Sequence, residues 1–295
     1  MTTAAAQAAT EDNYYLLERD SVETKRLDNQ HEFIVRICGG SLLHKAIPQD
    51  KIFSVADVAT GTGIWLRELK QYLDSTHPTP TQPRVYHGFD ISDAQFPADV
   101  NASFSLQDCL KPFPVEHHGR YDLVHVRLLV AAIKGANFKL IVANLKPLLK
   151  PGGYLQWEDL DMGSFLTTSD PKWDSTPGMQ TMHYLINAQV ALGSSAHVPE
   201  AVAAGARDAG LVQVQTDYYN TNAHPELDET TRQWILNATV PLMRSVKMRN
   251  AGATANEEVI DKEVEAHVAA VKETYAQGLV IHGAIGVVIA KMPEQ

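Results

Sequence analysis

Residues 55–65 read VADVATGTGIW, and this stretch decides the fold. An apolar run ends in a carboxylate, Asp57, and a loop with two glycines, Gly61 and Gly63, follows it. The next residues, IWLRELKQYL, carry apolar side chains at helical spacing. The stretch therefore predicts a buried strand, a glycine loop and a helix, which together form a common nucleotide-binding unit.

The residues of this loop argue against a ligand that carries phosphates. The dinucleotide fingerprint needs a third small residue three positions after Gly63, and that position is Leu66. The phosphate loop GxxxxGK[ST] is absent as well. A carboxylate at the strand end, Asp57, would repel a pyrophosphate. The pattern favours a cationic nucleoside without phosphates, and S-adenosylmethionine is such a ligand.

Two further carboxylates follow predicted strands. Asp90 ends RVYHGFD and can accept hydrogen bonds from both ribose hydroxyls. Asp108 follows SFSLQ and can accept a bond from the adenine amino group, with the Cys109 backbone facing the ring nitrogens. Taken singly, each aspartate fits a surface or helix-capping role. In this order, at strand ends of an open α/β sheet, they predict a nucleoside site.

Strands and helices alternate along the first half of the chain. Further strands are predicted at 121–127, 154–158, 211–219 and 279–292, and NFKLIVANLKPLLKPGG predicts a helix that ends at its Pro-Gly-Gly. Such alternation predicts a parallel sheet with right-handed crossovers. We expect a disordered tail at 1–12 and an N-terminal helical lid at 13–50, whose helix starts at DSVE. A cofactor-binding core at 51–162 precedes the remaining strands and a helical substrate cap at 163–295.

The composition disfavours several classes of partner. The 295 residues include 25 Lys and Arg against 35 Asp and Glu, a formal net charge of −10, so nucleic acid and anionic membranes would be repelled. Two cysteines, Cys38 and Cys109, form neither a disulfide framework nor a zinc quartet. No segment reaches the roughly 18–20 apolar residues of a membrane span. We expect a cytoplasmic protein without a metal, and a homodimer is left open.

The motifs resemble those of a known family. VADVATGTGIW, GFDIS, LQDCLKPFP, YDLVHVRLL and LLKPGGYLQWEDLD resemble, in this order, the motifs of class I S-adenosylmethionine-dependent methyltransferases. RLDNQH, VHVR and LQWEDLD are similar to the fungal small-molecule methyltransferases of secondary metabolism. The resemblance covers roughly residues 14–162. It implies a doubly wound, Rossmann-like seven-stranded α/β sheet, mostly parallel with an antiparallel last strand, which suits residues 279–292.

The resemblance also implies a reaction: methyl transfer to a hydroxyl, N-hydroxyl or nitrogen of a small aromatic or alkaloid natural product. A hydroxyl acceptor is favoured. The C-terminal third matches the family poorly, as expected of a substrate-binding half. The sequence does not name the substrate.

Cofactor-binding residues are assigned by the same resemblance. Asp57 would support the loop. In the fungal group the N-terminal helix covers the cofactor, so Arg26 and Gln30, one turn apart, would hold the methionine carboxylate; an exposed charge near Glu23 is an equal alternative for Arg26. The predicted set is Arg26, Gln30, Asp57, Ala59, Thr60, Gly61, Gly63, Asp90, Ile91, Asp108, Cys109 and Arg127.

Candidates for catalysis follow the fourth and fifth strands. Glu158 is the predicted general base, with Asp161 behind it, although solvated loop acids explain each equally well. His183 either lines the substrate pocket or belongs to the core. His125, in mid-strand, is predicted to be buried and satisfied by a neighbouring hydrogen bond. A magnesium-dependent mechanism would need an acid where the fourth strand offers Arg127.

Two alternatives from other classes stay open at this stage. A methyltransferase scaffold can keep the cofactor yet catalyse a pericyclic or cyclisation step, or act as a regulator. The second alternative is a nicotinamide oxidoreductase on a related fold. Leu66 in place of the third small residue, and the Asp57 carboxylate at the strand end, argue against this alternative.

Overall fold

A computed structural model describes residues 21–97, 102–166 and 171–294, and within them a seven-stranded sheet has the order β3-β2-β1-β4-β5-β7-β6. The strands are β1 (Ser54–Val58), β2 (Val85–Asp90), β3 (Ser103–Leu106), β4 (Tyr121–Arg127), β5 (Leu149–Asp161), β6 (Val212–Asn220) and β7 (Ala284–Lys291). The α-helices are α1 (Ser21–Ile37), α2 (Ile64–Thr76), α3 (Phe138–Leu145), α4 (Pro177–Ala191), α5 (Val198–Asp208), α6 (Asp228–Ala251) and α7 (Glu257–Ala276). The predicted tail at 1–12 and the first residue of DSVE lie outside the described residues.

The sheet is parallel except for β7. Strand β1 pairs in parallel with β2 and β4, and the pairs β2–β3 and β4–β5 are parallel too. Strand β7 runs antiparallel to both of its neighbours, β5 and β6. The predicted fold class, a doubly wound and mostly parallel seven-stranded sheet with an antiparallel last strand, is confirmed. The order reverses at β1 and β4, so the ligand crevice of such a sheet lies above their carboxyl ends.

The central strand is enclosed on both faces. All five residues of β1 are buried, which is typical of a parallel strand covered by helices on both sides. On one side, α2 buries Trp65, Leu69 and Leu73. Helix α5 contacts β5, β6 and β7 and packs against α3. No helix of the described residues combines the length and the apolar composition that a membrane crossing needs.

One predicted helix boundary is wrong. Helix α3 ends at Leu145, and Leu149–Asp161 form β5, so the Pro-Gly-Gly at 151–153 lies inside a strand rather than closing a helix. The register between β4 and β5 shifts at this point. Gly152 has a φ of +76°, and a Cβ at Gly153 would lie 3.0 Å from the Tyr121 carbonyl oxygen. The glycines therefore allow an irregular strand entry close to β4.

Two elements of the C-terminal half differ from the prediction. No element was expected at 198–208, where α5 buries Val198, Val202 and Ala206 on one face. The last strand starts at Ala284 rather than at 279. A Cβ at Gly283 would lie 2.0 Å from the Phe165 ring, so the chain passes closely beneath this ring before it joins the sheet.

Gly88 of β2 supplies the first test. An alanine Cβ there would lie 2.5 Å from the Phe104 ring and 2.9 Å from Thr60 Cγ2 of the glycine loop. We expect Gly88→Ala to lower the free energy of unfolding by about 1–3 kcal/mol because the neighbours must shift. Denaturant unfolding followed by circular dichroism measures the effect. Adding Phe104→Leu makes room for the methyl group, so the double variant should recover part of the loss; no recovery would contradict the steric explanation.

Candidate functional site

The glycine loop turns sharply between β1 and α2. Gly61 and Gly63 have φ values of +54° and +68°, a region that suits glycine, and Ala59 adopts +59°. The Thr60 N–H donates to the Phe89 carbonyl of β2 at 3.0 Å. The loop is therefore fixed to the second strand, and a Cβ at Gly63 would lie 3.1 Å from the Phe104 ring.

Asp57 lies beneath this loop. It is 3% exposed, and its Oδ2 accepts a hydrogen bond from the Thr60 hydroxyl at 2.7 Å. Its Oδ1 is 2.7 Å from Nδ1 of His125 on β4. Both oxygens are thus engaged by protein groups, an arrangement that suits the loop support predicted for this residue.

Asp90 faces the crevice from the end of β2. Its Oδ2 accepts a hydrogen bond from the Gly61 N–H at 2.9 Å, and its Oδ1 accepts one from the Ser92 N–H at 3.2 Å. The next residue, Ile91, is 59% exposed, as is Leu106 at the end of β3. Leu106 is the register partner of Asp90, so a carboxylate and two exposed apolar side chains lie next to one another at this edge of the sheet.

The third strand-end acid lies at the end of β3. Asp108 Oδ1 accepts a hydrogen bond from the Leu110 N–H at 2.9 Å, and Lys111 Nζ lies 3.6 Å from its Oδ2. The Cys109 carbonyl accepts a bond from Asn144 at 3.0 Å. Burial raises the pKa of the Cys109 thiol to about 12, so the thiol is neutral at physiological pH.

Helix α1 lies over the glycine loop. Asp28 Oδ1 accepts a hydrogen bond from the Thr62 hydroxyl at 2.9 Å, and a Cβ at Gly61 would meet Leu27 Cδ1 at 3.7 Å. His31 Nε2 lies 2.8 Å from Glu68 of α2. These contacts place the helix above the loop, where the sequence predicts a lid.

Arg26 and Gln30 lie on the side of α1 that faces α6. They hydrogen-bond to each other at 3.3 Å. With Phe33 and Trp234 they line a cavity of about 280 Å³ between the two helices. Leu27 and Asp28 contact the glycine loop, and the grip on the methionine carboxylate stays a prediction for Arg26 and Gln30.

Glu158, the predicted base, is enclosed in the protein. It is 5% exposed, and its Oε1 accepts a hydrogen bond from Gln156 at 2.7 Å and lies 3.8 Å from His125 Nε2. Burial alone would raise its pKa, but His125, Arg127 and Gln156 together hold the pKa of Glu158 below its ordinary value. A carboxylate in this environment has little tendency to take up a proton.

The other two catalytic candidates lie apart from Glu158. Asp161, at the end of β5, has its Oδ1 2.7 Å from Nδ1 of His197, just before α5. A Cβ at Gly163 would lie 2.1 Å from His197 Cε1, so the ring rests directly on that backbone. His183 lies on α4, and its Nε2 is buried without a hydrogen-bond partner in the part of the chain that the structure describes.

Asp159 is fully enclosed and fixes the segment after β4. Its oxygens accept hydrogen bonds from the N–H groups of Leu129, Val130 and Leu160 and from the Trp157 indole, at 2.9–3.3 Å. Burial raises its pKa to about 6, while the four donors favour the ionised form. Within residues 21–97, 102–166 and 171–294, no three His, Cys, Asp or Glu side chains are grouped as a metal site requires.

The hydrogen-bonded roles of three residues in this region, His125, Gln156 and His197, were not fully predicted from the sequence. His125 was expected to be buried and hydrogen-bonded, which the structure confirms, but its carboxylate partners were not identified. Gln156 and His197 were not considered. Their positions in the sequence could have indicated them. Gln156 is two residues before Glu158 and so shares its face of β5, and His197 directly precedes a helix that begins with Val-Pro.

The crevice suits the predicted cofactor. Two strand-end carboxylates, Asp90 and Asp108, offer acceptors to a ribose and to an adenine amino group, and Ile91 and Leu106 offer apolar surface to the base. Gly61 has the positive φ that this turn needs, and its N–H fixes the Asp90 carboxylate at the edge of the crevice. The donor and acceptor groups fit an adenosine with a cationic tail.

Comparison with known families agrees with this geometry. A family model described as a methyltransferase domain matches residues 30–211, more than half of the chain, and the chain belongs to this family. The resemblance predicted from the motifs is therefore confirmed, and with it S-adenosylmethionine as the cofactor.

Several curated fungal proteins are similar to the chain. Methyltransferase grgD of Penicillium sp is 46% identical over 162 residues, which cover 53% of this chain and 55% of that protein. N-methyltransferase verN of Clonostachys rogersoniana is 29% identical over 163 residues, covering 54% of each. N-methyltransferase gliN of Aspergillus fumigatus is 31% identical, covering 50% of this chain and 51% of that protein. The chain thus spans about half the length of these relatives.

A solved structure shares the fold. The complex of loganic acid methyltransferase with SAH superposes with a TM-score of 0.55 at 11% identity, covering 96% of this chain and 97% of that one. At this identity the likeness concerns the fold alone.

The enclosed Asp159 supplies the second test. In Asp159→Asn one acceptor oxygen becomes an NH₂ group that faces protein N–H donors, so we expect unfolding to become easier by about 2–4 kcal/mol. Asp208→Asn is the matched control, because Asp208 forms an exposed ion pair with Lys139 that contributes about 0–1 kcal/mol. Urea unfolding at pH 7.5 compares them. Equal urea midpoints for the two variants would show that the four hydrogen bonds of Asp159 contribute little to the free energy of unfolding.

Proposed function

We propose that the chain transfers the methyl group of S-adenosylmethionine to a small aromatic molecule of secondary metabolism. The observation that carries the proposal is the crevice above β1, where the glycine backbone, the Asp90 carboxylate and exposed Ile91 lie together. The family supports methyl transfer, and the fungal relatives support a natural product as acceptor.

Each group around the crevice receives a role in this proposal. Bound S-adenosylmethionine supplies an electrophilic methyl group on a sulfonium. Asp90 accepts hydrogen bonds from the ribose, and Asp108 accepts one from the base. The Asp57 carboxylate holds the loop through Thr60 and does not touch the ligand. Methyl transfer then requires the protein chiefly to align the acceptor and to exclude water.

Aromatic acceptors are favoured by the rings beside the carboxyl edge. Trp234 of α6 lies 5.1 Å from Phe33 of α1 and 6.3 Å from Phe165 after β5, measured between ring centroids. The three rings are 2–9% exposed, and Phe33 and Trp234 line the cavity between α1 and α6, where a ring of the acceptor can pack against them. This region joins α1, the end of β5 and α6, where the sequence analysis expects the substrate cap.

A nitrogen is the acceptor atom that the observations favour, although the sequence favoured a hydroxyl. Relatives of this chain are named N-methyltransferases. The enclosed Glu158 already accepts a hydrogen bond and has a lowered pKa, so it is a weak base for a hydroxyl. A neutral amine offers its lone pair without prior loss of a proton.

A hydroxyl acceptor is the second candidate, because a different base is present. Asp161 orients the His197 imidazole at 2.7 Å, and the His197 side chain is 52% exposed at the carboxyl edge. A histidine oriented by a carboxylate can accept a proton on its other nitrogen. His197→Gln therefore separates the two cases: it should slow methylation of hydroxyls and leave methylation of amines unchanged.

The test uses S-adenosylmethionine labelled in its methyl group and a panel of aromatic amines, amides and phenols. We expect label in the product and a mass increase of one methyl group. Asp90→Asn should weaken binding of S-adenosylhomocysteine about 10-fold or more, measured by calorimetry, because a charged acceptor is lost. Asp93→Asn, three residues further along, is the matched control and should bind normally.

The outcomes distinguish the alternatives. A product of unchanged mass would indicate an isomerisation or cyclisation on the same scaffold. Cofactor binding with no turnover and a stable protein partner would indicate a regulator. Absence of both S-adenosylhomocysteine binding and label transfer would refute the proposal.

A further inference from the structure

A histidine lies between two carboxylates at the centre of the sheet. His125 of β4 is fully buried, and its Nδ1 is 2.7 Å from Asp57 Oδ1 on β1. On its other side, Nε2 is 3.8 Å from Glu158 Oε1 on β5. The strand register places His125 opposite Asp57 of β1 and Gln156 of β5. The imidazole ring therefore lies between the carboxylate of Asp57 and that of Glu158.

The orientation of this ring is fixed from above. The Trp65 indole of α2 stacks on the imidazole with 3.5 Å between centroids and an angle of 4° between planes. Trp65 is itself 2% exposed, so it cannot easily move aside. An aromatic face against a cationic ring is favourable, and it prevents the ring from turning away from the acids.

The charges around the ring favour its protonated form. With a neutral ring, Asp57 and Glu158 would share a buried space with no cation between them. Burial alone would lower the pKa of His125, but the hydrogen bonds and charges of Asp57 and Glu158 raise it above its ordinary value. The other ionisable groups that interact with the charge of Glu158 are Arg127 of β4, His31 of α1, Cys38 directly after α1, and Tyr219 of β6.

From this ring, a hydrogen bond leads to Asp57, whereas Glu158 is reached by an ion-pair contact of 3.8 Å and Nε2 has no hydrogen-bond partner among the described residues. Asp57 accepts a bond from Thr60 in the glycine loop. Glu158 accepts one from Gln156, which donates to the Leu42 carbonyl and accepts from the His44 N–H, both at 2.9 Å. The imidazole is therefore the junction between the loop beneath the cofactor and the strand that faces the acceptor.

We propose that His125 is a positioning residue, whose imidazolium joins Asp57 to Glu158 and so holds the glycine loop in its cofactor-binding shape. The proposal rests on the proposed function, because its readout is cofactor affinity. His125 acts through Asp57 and Thr60 and touches neither ligand.

Two variants separate the charge from the ring. His125→Phe keeps an aromatic ring for Trp65 but removes both N–H groups, whereas His125→Gln keeps a neutral donor toward Asp57. His87→Gln is the matched control on β2, since His87 bonds to Ser105 and lies outside this network. Circular dichroism and thermal unfolding establish that each variant is folded.

Calorimetry with S-adenosylhomocysteine gives the first readout. We expect the dissociation constant to rise about 10-fold or more for His125→Phe, less for His125→Gln, and not at all for His87→Gln. In turnover assays the KM for S-adenosylmethionine should rise while the KM for the acceptor stays constant. Wild-type affinity in a folded His125→Phe variant would overturn the proposal.

Nitrogen-15 NMR of the full chain gives a readout that packing alone would not produce. The His125 resonances, identified by their loss in His125→Gln, should show two protonated nitrogens at pH 7.5. A neutral tautomer at that pH would overturn the imidazolium assignment.

A double variant tests the junction itself. Asp57→Asn combined with His125→Gln removes an acid and a cation together, so its effect on affinity should be smaller than the product of the single effects. Multiplicative effects would show that the two residues act independently. If the wild-type chain does not bind S-adenosylhomocysteine, the proposed function fails first, whereas normal binding with unaffected variants removes only the role of His125.

Discussion

A buried carboxylate, that of Asp57, constrains the shape of the glycine loop from below. One oxygen holds the Thr60 hydroxyl and the other holds His125, so the acid is fixed from two directions at once. The loop has three residues of positive φ, and its backbone bonds are few: Thr60 N–H donates to Phe89, Gly61 N–H to Asp90 and Gly63 N–H to Thr60. The side chain under the loop supplies that support, and the crevice depends on it.

The same residues explain how much of the fold the sequence predicts. The strand–loop–helix unit at 54–76 is local: a continuous apolar run, two glycines and a helical repeat occur within a short stretch. Strands β2, β4 and β5 likewise end in a charged side chain, and β3 is followed by Asp108 two residues later. The number of strands and the antiparallel β7 were expected from the family resemblance, and the strand order was not predicted, since pairing between distant strands leaves little trace in one sequence.

The errors have physical reasons as well. At 151–153 the Pro-Gly-Gly reads as a helix stop, but the strand register and the closeness of β4 decide its conformation. For Glu158, the sequence shows only an acid near a strand end. It does not show that Gln156 donates a hydrogen bond to this carboxylate and that His125 lies 3.8 Å from it. The link between Asp161 and His197 joins residues 36 positions apart, which no local pattern indicates.

The enclosed Asp159 is an anchor for the residues that follow β4. It anchors the residues after β4 to β5 from within the sheet, where Leu128 adopts a φ of +56°. The four hydrogen bonds of Asp159 involve no residue of α4 or α6. Residues of those two helices can therefore vary in evolution without loss of this anchor.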